Sequence, residues 1–371
     1  MNLFNSKYIL NGKKRHAWID YDRGISIILV TYRHCIEGLI KSGINLKSYP
    51  ILEYMNVFLF GFRMPLFFIA SGIFLSASLN KKGLNGYTFD RFKTILYPML
   101  IWGIIQISLQ ILFSDYTNSK DNVNFNSFYY LITNPRATGQ FWYLNALFFV
   151  GIIYSILNVF FKFNKNHQLF LGILFYTLCA YSNAQGYHLG FISDILKYYL
   201  FFALGDAISS VMLSENASKF FTSWKLILPL AISFILIQYF FTKINLLNND
   251  NYFVENKMPL FFIVVALVGC AISISLSFTL KKYEKFSFLR VLGYNSVHIY
   301  CMQIIVMAIF RLLFIKSHLI TSVPLLTFMI LLSGLIVPVI IYNYCLRLNL
   351  WWLFTLKKPI AEIDFVKQQV G

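Results

Sequence analysis

Four ionisable side chains that could carry out acid–base chemistry or bind an anion lie in one apolar stretch, residues 18–41, WIDYDRGISIILVTYRHCIEGLIK. Arg23 and His34 are eleven residues apart, which on an α-helix is three turns, about 20° of rotation and roughly 16 Å of rise. They share one face. Glu37 lies one turn beyond His34 on that face, whereas Arg33 lies about 100° away from it. Ionisable groups at membrane depth are costly and usually mark function. A single buried histidine is often only a satisfied polar group, but four such side chains in one helix predict a site.

The composition places this helix in a polytopic membrane protein. Of the 371 residues, 58% are hydrophobic and only 13% are charged, where a soluble domain averages about 25% charged. Apolar runs long enough to span a bilayer recur along the whole chain. We predict an all-α integral membrane bundle of about ten helices. The expected spans are 24–40, 52–79, 94–113, 141–160, 168–183, 190–212, 224–242, 258–280, 291–314 and 322–346.

The net charge of +17 is explained by topology rather than by nucleic acid. With the N-terminus inside, most of the 32 Lys and Arg residues fall in cytoplasmic segments, as the positive-inside rule requires. We therefore expect both termini in the cytoplasm, with one membrane domain over 1–371, a cytoplasmic segment at 1–20 and a cytoplasmic tail at 347–371. The five cysteines have no paired spacing, so we expect neither disulfides nor a metal site.

Other spans carry polar features, each of which has a structural alternative. Arg63 precedes Pro65 in the second span and could line a site or could satisfy the carbonyls that the proline frees. Ser71 and Gly72 would let another backbone approach closely. Arg91 and Lys93, in FDRFKTILYP, are expected at a helix start, where they could hold a phosphate or simply anchor the cytoplasmic end.

The polar residues of the fourth and ninth spans could likewise form a site or have a structural role. Trp142 opens the fourth span, where an interfacial aromatic anchor is expected. In the ninth, the spacing of Ser296, Tyr300 and Gln303 places them on one face, with His298 on another side. Such a stripe is either interhelical hydrogen-bonding glue or the wall of a site. Lys197, with Asp194, is expected to snorkel or to be paired near the surface, and no partner can be assigned from the sequence to Lys197, Asp206 or His298.

In order along the chain, the segments IDYDRG with a histidine eleven residues after its arginine, MPLFFIASG, DRFKTILYP, GQFWYLNALF and LGYNSVHIYCMQ resemble the successive signatures of the acyltransferase 3 family of integral-membrane O-acyltransferases. The resemblance covers essentially the whole chain. It implies transfer of an acyl group, commonly acetyl from acetyl-CoA, to a hydroxyl of a cell-surface or lipid-linked glycan. The expected location is the bacterial inner membrane, without a tightly bound cofactor and without a fused hydrolase-like domain.

The resemblance also implies roles for individual residues. Arg23 and His34 match the arginine and histidine that the family needs for transfer, and Asp20 lies in the same motif. Ser71 and Gly72 match its Ser-Gly pair, Arg91 its basic residue before the third helix, and Trp142 its tryptophan. Gln303 occupies a place where the family often has a histidine.

These residues suggest a mechanism and leave one alternative function. Neutral His34 would deprotonate the acceptor hydroxyl or carry the acyl group itself, and Glu37 would orient the imidazole. Arg23, Arg91 and Lys93 would bind the CoA phosphates, while Arg33 or Arg63 would stabilise the oxyanion. The alternative is an exporter of a glycan or lipid-linked substrate, whose translocation path the same charges would line. A structural scaffold would leave the buried charges without a purpose.

Overall fold

The computed structural model describes residues 6–11, 16–114, 123–187, 189–360, 362–363 and 365. Within these ranges the chain forms helices and no strand. In chain order the α-helices are α1 Ser6–Asn11, α2 Ala17–Lys41, α3 Pro50–Phe58, α4 Phe60–Gly72, α5 Leu75–Arg91, α6 Tyr97–Leu112, α7 Asn126–Thr133, α8 Trp142–Val159, α9 Lys165–Ala184, α10 Phe191–Ala207, α11 Ser209–Met212, α12 Ala217–Phe221, α13 Trp224–Leu247, α14 Phe253–Lys257, α15 Pro259–Tyr283, α16 Phe288–Tyr294, α17 Ser296–Lys316 and α18 Val323–Arg347. Short 3-10 turns lie at Leu46–Ser48, Pro135–Thr138 and Trp351–Leu353, and a π-helical turn lies at Phe92–Leu96.

Seven helical segments in the described part of the chain are long and apolar enough to cross a membrane. They are Pro50–Gly72, Leu75–Leu112, Trp142–Val159, Trp224–Leu247, Pro259–Tyr283, Ser296–Lys316 and Val323–Arg347. The all-helical membrane class is thus confirmed. The other three predicted spans correspond to α2, α9 and α10, which do not meet the same length and hydropathy criteria. The total of ten and the cytoplasmic location of the termini stay predictions, and much of the two terminal segments lies outside the described residues.

The contacts divide the chain into two compact units. The first comprises Met1–Asn56, Tyr97–Leu131 and Glu284–Gly371, and the second comprises Val57–Leu96 and Ile132–Tyr283. The first unit therefore joins helices from both ends of the chain, so α2 packs with α16, α17 and α18. The second is built from the central helices, with α10 packed on α4, α8 and α9.

In the first unit, α2 and α16 cross at two glycines. A Cβ on Gly24 would lie 2.1 Å from the carbonyl oxygen of Leu289, and one on Gly293 would lie 1.8 Å from that of Asp20. These distances are far below van der Waals contact, so only glycine permits this backbone approach. Further along α2, an apolar cluster joins it to α17 and α18: Cys35, Leu39, Met307, Leu326 and Ile330. The segment of α2 from Arg23 to Glu37 is therefore packed against α16 near one end and against α17 and α18 near the other.

In the second unit, α4 and α10 approach each other in the same way. A Cβ on Gly72 would lie 2.1 Å from the carbonyl oxygen of Phe202, and one on Gly205 would lie 2.2 Å from that of Ile69. The close backbone approach expected at Gly72 is present, and its neighbour Ser71 is buried at the same crossing.

The segment with Arg91 and Lys93 differs from the prediction. Gly83 has φ 66° and ψ 175°, which interrupts α5, whereas the helix continues without a break through Arg91 into the π-helical turn and α6. Arg91 is the last residue of α5, and Lys93 lies in the π-helical turn. The predicted helix start is therefore wrong, because the charges occur within a continuous helix. Neither side chain has the free N–H groups of a helix N-terminus beside it.

Candidate active site

His34, Arg33 and Glu37 form one hydrogen-bonded group on α2. Arg33 Nε donates to Glu37 Oε1 at 2.6 Å, and His34 Nδ1 lies 3.5 Å from Glu37 Oε2. Residues three and four apart on a helix are neighbours, so Glu37 reaches both side chains from one position. Glu37 was expected beside His34, and Arg33 about 100° away from His34; because Arg33 and Glu37 are four residues apart, they are only about 40° apart around the helix and within hydrogen-bonding reach. One carboxylate oxygen of Glu37 therefore contacts Arg33 and the other contacts His34.

This arrangement affects how the imidazole can react. A carboxylate beside Nδ1 favours the tautomer with the proton on Nδ1, so that Nε2 is the nitrogen that carries the lone pair. The side chains of Arg33, His34 and Glu37 are 19%, 16% and 36% exposed. They are therefore sheltered yet still accessible, as a site that must admit a substrate requires. The role of His34 as a base stays a prediction, with Glu37 in contact with its Nδ1.

Arg23 and Asp20 lie three to four turns before His34 on the same helix. Arg23 is half-buried, whereas the Asp20 side chain is buried and its backbone carbonyl lies at the Gly293 crossing. Asp20 also falls in the first turn of α2, where a carboxylate interacts favourably with the helix dipole. Asp20 thus contributes to the position of α2, and Arg23 is the more accessible charge at this end.

Gln303 of α17 is hydrogen-bonded directly to α2. The Thr31 hydroxyl, three residues before His34, donates to Gln303 Oε1, and both side chains are fully buried. Tyr300, one turn earlier on α17, is also buried. His298 lies elsewhere, stacked on Tyr342 with ring centroids 3.7 Å apart. Gln303 and His298 thus have different partners, as their expected positions on two sides of α17 require, and the place of Ser296 and Tyr300 on the Gln303 side stays a prediction.

The other predicted site residues belong to the second unit. Arg63 is 1% exposed, with its guanidinium carbon 5.0 Å from the centre of the Phe60 ring. Arg91 Nε donates to the Tyr87 hydroxyl at 3.0 Å, and Lys93 Nζ lies 2.8 Å from Asp90 Oδ1. Both Arg91 and Lys93 keep N–H groups beyond these contacts, since a guanidinium has five and an ammonium three.

Trp142 lies beside an ion pair of the second unit, in which Asp194 is buried and Arg136 is 41% exposed. The Arg136 guanidinium lies 4.1 Å from the centre of the Trp142 ring and binds both oxygens of Asp194, with Nη2 to Oδ1 at 2.6 Å. Burial works against the charge of Arg136, but the Asp194 carboxylate outweighs it and raises the pKa of the guanidinium. Trp142 is therefore held by a permanent cation on one side and by Tyr198 on another, at 5.5 Å between ring centroids.

Comparison with known proteins identifies the family of this chain. A family model described as an acyltransferase domain, that of the acyltransferase 3 family, matches residues 16–343. The chain belongs to this family. The match includes all the residues discussed above, from Asp20 to Gln303.

This acyltransferase also resembles a nodulation protein, NolL, of Mesorhizobium japonicum. The two are 25% identical over 222 residues, which is 59% of this chain and 54% of NolL. The chain therefore aligns with about half the length of that relative. No solved structure matches the acyltransferase.

Two buried ionic networks of the acyltransferase were not predicted. Asp206 accepts hydrogen bonds from Ser76 Oγ at 2.5 Å and from the Tyr154 hydroxyl at 2.8 Å. Lys197 Nζ donates to Glu255 Oε1 at 2.8 Å. Lys197 is thus buried and paired rather than snorkelling. The sequence signalled both networks only as charges within apolar runs, because their partners come from other helices.

Proposed function

We propose that this acyltransferase transfers an acetyl group from acetyl-CoA to a hydroxyl of a cell-surface or lipid-linked glycan, with His34 as the general base. The observation that carries the proposal is the contact of His34 Nδ1 with Glu37, whose other oxygen binds Arg33. In this proposal Glu37, held by Arg33, orients the imidazole through Nδ1, and Nε2 is the nitrogen that acts on the acceptor hydroxyl. The membership of the acyltransferase 3 family supports the reaction class.

The reaction balances with the groups of one site. His34 Nε2 takes the proton of the acceptor hydroxyl as the oxygen attacks the thioester carbonyl. The new C–O bond forms, the C–S bond breaks, and the proton passes from the imidazolium to the departing CoA thiolate. Glu37 stabilises the imidazolium between these two transfers. The products are an acetyl ester and free CoA.

Arg23, Arg91 and Lys93 are the proposed CoA-binding cations. Arg23 and Arg91 can form planar bidentate contacts with phosphate, and Lys93 adds a point charge. CoA is a cytoplasmic molecule, which is consistent with the predicted cytoplasmic position of these residues. We place the enzyme in the bacterial inner membrane, with its acceptor glycan on the side of the membrane that faces away from the cytoplasm.

The test is thiol release from acetyl-CoA by the purified protein in nanodiscs, with and without an extract of lipid-linked sugars. We expect His34→Ala to lower turnover by about 10²–10⁴-fold, the usual contribution of a general base. His167→Ala is the matched control, because His167 is an exposed histidine of α9 in the second unit. Normal turnover by a folded His34→Ala variant would refute the assignment.

Two further measurements identify the substrate and the intermediate. Mass spectrometry of surface glycans and lipid-linked sugars, with and without the gene, should show a loss of acetyl groups in the deletion strain. Intact-protein mass spectrometry after mixing with acetyl-CoA should show no added acetyl group on His34. A stable acetyl adduct there would replace the base mechanism with a covalent one.

A further inference from the structure

Gln303 of the first unit keeps a buried hydrogen-bond donor for which the described part of the chain supplies no partner. Its side chain is 0% exposed, and within the described residues Nε2 has no hydrogen-bond partner. Its Oε1 accepts from Thr31, which contributes the contact to α2. A buried amide N–H without an acceptor is unfavourable, so an acceptor that a substrate brings to it would be bound favourably.

The unpartnered N–H does not depend on which way the amide is placed. The Thr31 hydroxyl has one proton, and its oxygen also lies 2.8 Å from the Ile27 carbonyl. If the amide is turned over, Thr31 donates to Ile27, and Nε2 donates one of its two hydrogens to the Thr31 oxygen. The second hydrogen still has no acceptor. In both orientations Gln303 offers at least one buried N–H.

Thr31, the residue of α2 that contacts Gln303, lies close to His34 along the helix. Thr31 is three residues before His34, which is about 4.5 Å of helix rise and less than one turn. Gln303 is therefore fixed to the same part of α2 that carries the proposed base. Arg33, one of the two side chains expected to stabilise an oxyanion, has its Nε hydrogen-bonded to Glu37. The other, Arg63, has its guanidinium carbon 5.0 Å from the centre of the Phe60 ring.

We propose that the Gln303 amide donates a hydrogen bond to the carbonyl oxygen of the acyl group as that oxygen becomes negatively charged. The inference rests on the proposed acyl transfer and adds a catalytic residue to it. No proton is transferred, because a side-chain amide does not ionise near neutral pH. The N–H stabilises the negative charge on the carbonyl oxygen through a hydrogen bond only. A donor already fixed in a dry site stabilises developing charge more than water does.

The test compares kcat and KM for acetyl-CoA in four nanodisc samples: wild type, Gln303→Met, Gln303→His and Gln238→Met. Methionine keeps the length of glutamine without the N–H, and Thr31 retains its bond to Ile27, so no new unpaired hydroxyl is created. Histidine restores an N–H donor. Gln238 is the matched control, since it is a fully buried amide of the second unit with neither Nε2 nor Oε1 hydrogen-bonded among the described residues.

We expect Gln303→Met to lower kcat by about 10²–10³-fold with little change in KM, as loss of one oxyanion donor does elsewhere. Gln303→His should recover most of the rate, and Gln238→Met should remain within a few-fold of wild type. If Gln303→Met keeps the wild-type kcat while the wild type is active, the inference fails and the proposed function stands. The inference also fails if Gln303→Met loses thermal stability and activity together and histidine does not restore them. If the wild type releases no CoA thiol with any acceptor, the proposed function fails as well.

Discussion

The Lys197–Glu255 pair allows a quantitative test of the packing of the second unit. Nζ and Oε1 are 2.8 Å apart, and the two side chains are only 10% and 3% exposed. At an effective dielectric constant of about 20, their attraction is about 6 kcal/mol. Removing two ions from water costs several kcal/mol each, which offsets most of this gain. The pair therefore adds little net stability, but either ion left alone is strongly unfavourable.

We predict that Lys197→Met lowers the free energy of unfolding by about 3–5 kcal/mol, because it leaves Glu255 buried without its cation. The double variant Lys197→Met/Glu255→Gln should recover most of that loss. The measurement is denaturant-induced unfolding of the detergent-solubilised protein, followed by tryptophan fluorescence and analysed as a double-mutant cycle.

The control is the Lys82–Asp90 pair of the same unit. It is shorter, at 2.6 Å, but its side chains are 41% and 36% exposed, so Lys82→Met should cost less than about 1 kcal/mol. If Lys197→Met costs no more than Lys82→Met, water reaches the buried pair and the reasoning is refuted. A double variant less stable than Lys197→Met would refute it equally, since the uncompensated charge would not be the cause.

Two further predictions concern donor binding and folding. Tyr87→Phe removes the hydroxyl that accepts from Arg91 Nε at 3.0 Å, so steady-state kinetics should show a KM for acetyl-CoA raised by about 3–10-fold with kcat unchanged, from a hydrogen bond of about 1 kcal/mol. An unchanged KM would exclude Arg91 from donor binding. Gly293→Ala places a Cβ 1.8 Å from the Asp20 carbonyl oxygen and should cost more than the usual 1–3 kcal/mol of overpacking. Size-exclusion chromatography should show little folded protein; a monodisperse peak with wild-type thermal stability would contradict the crossing.

Local helix geometry made part of the site predictable. The eleven-residue spacing of Arg23 and His34 and the position of Glu37 one turn further on follow from 3.6 residues per turn. The Arg33–Glu37 hydrogen bond was not predicted, although its i, i+4 spacing is readable, because Arg33 was compared only with His34. The helix start at Arg91 was wrong because charge was taken as a helix boundary, whereas the backbone continues through it.

The glycine crossings could be predicted only in part from the sequence. Gly72 could be expected to permit a close approach because small residues do so in membrane helices. Its partner, the backbone of Phe202, could not be named, because nothing in the local pattern of α4 identifies the helix that packs on it. The same holds for Gly24 and Gly293, which meet only because the first unit joins helices from both ends of the chain.

The amino-acid sequence was sufficient for the all-helical membrane class, for the order of the family motifs and for the stripe of ionisable residues on α2. These depend on hydropathy and on contacts within one or two helical turns. The tertiary structure alone paired Asp206 with Ser76 and Tyr154, paired Lys197 with Glu255, and joined Gln303 to Thr31 across 272 residues of sequence. A buried charge or amide requires a partner, but sequence spacing does not specify which distant helix provides it.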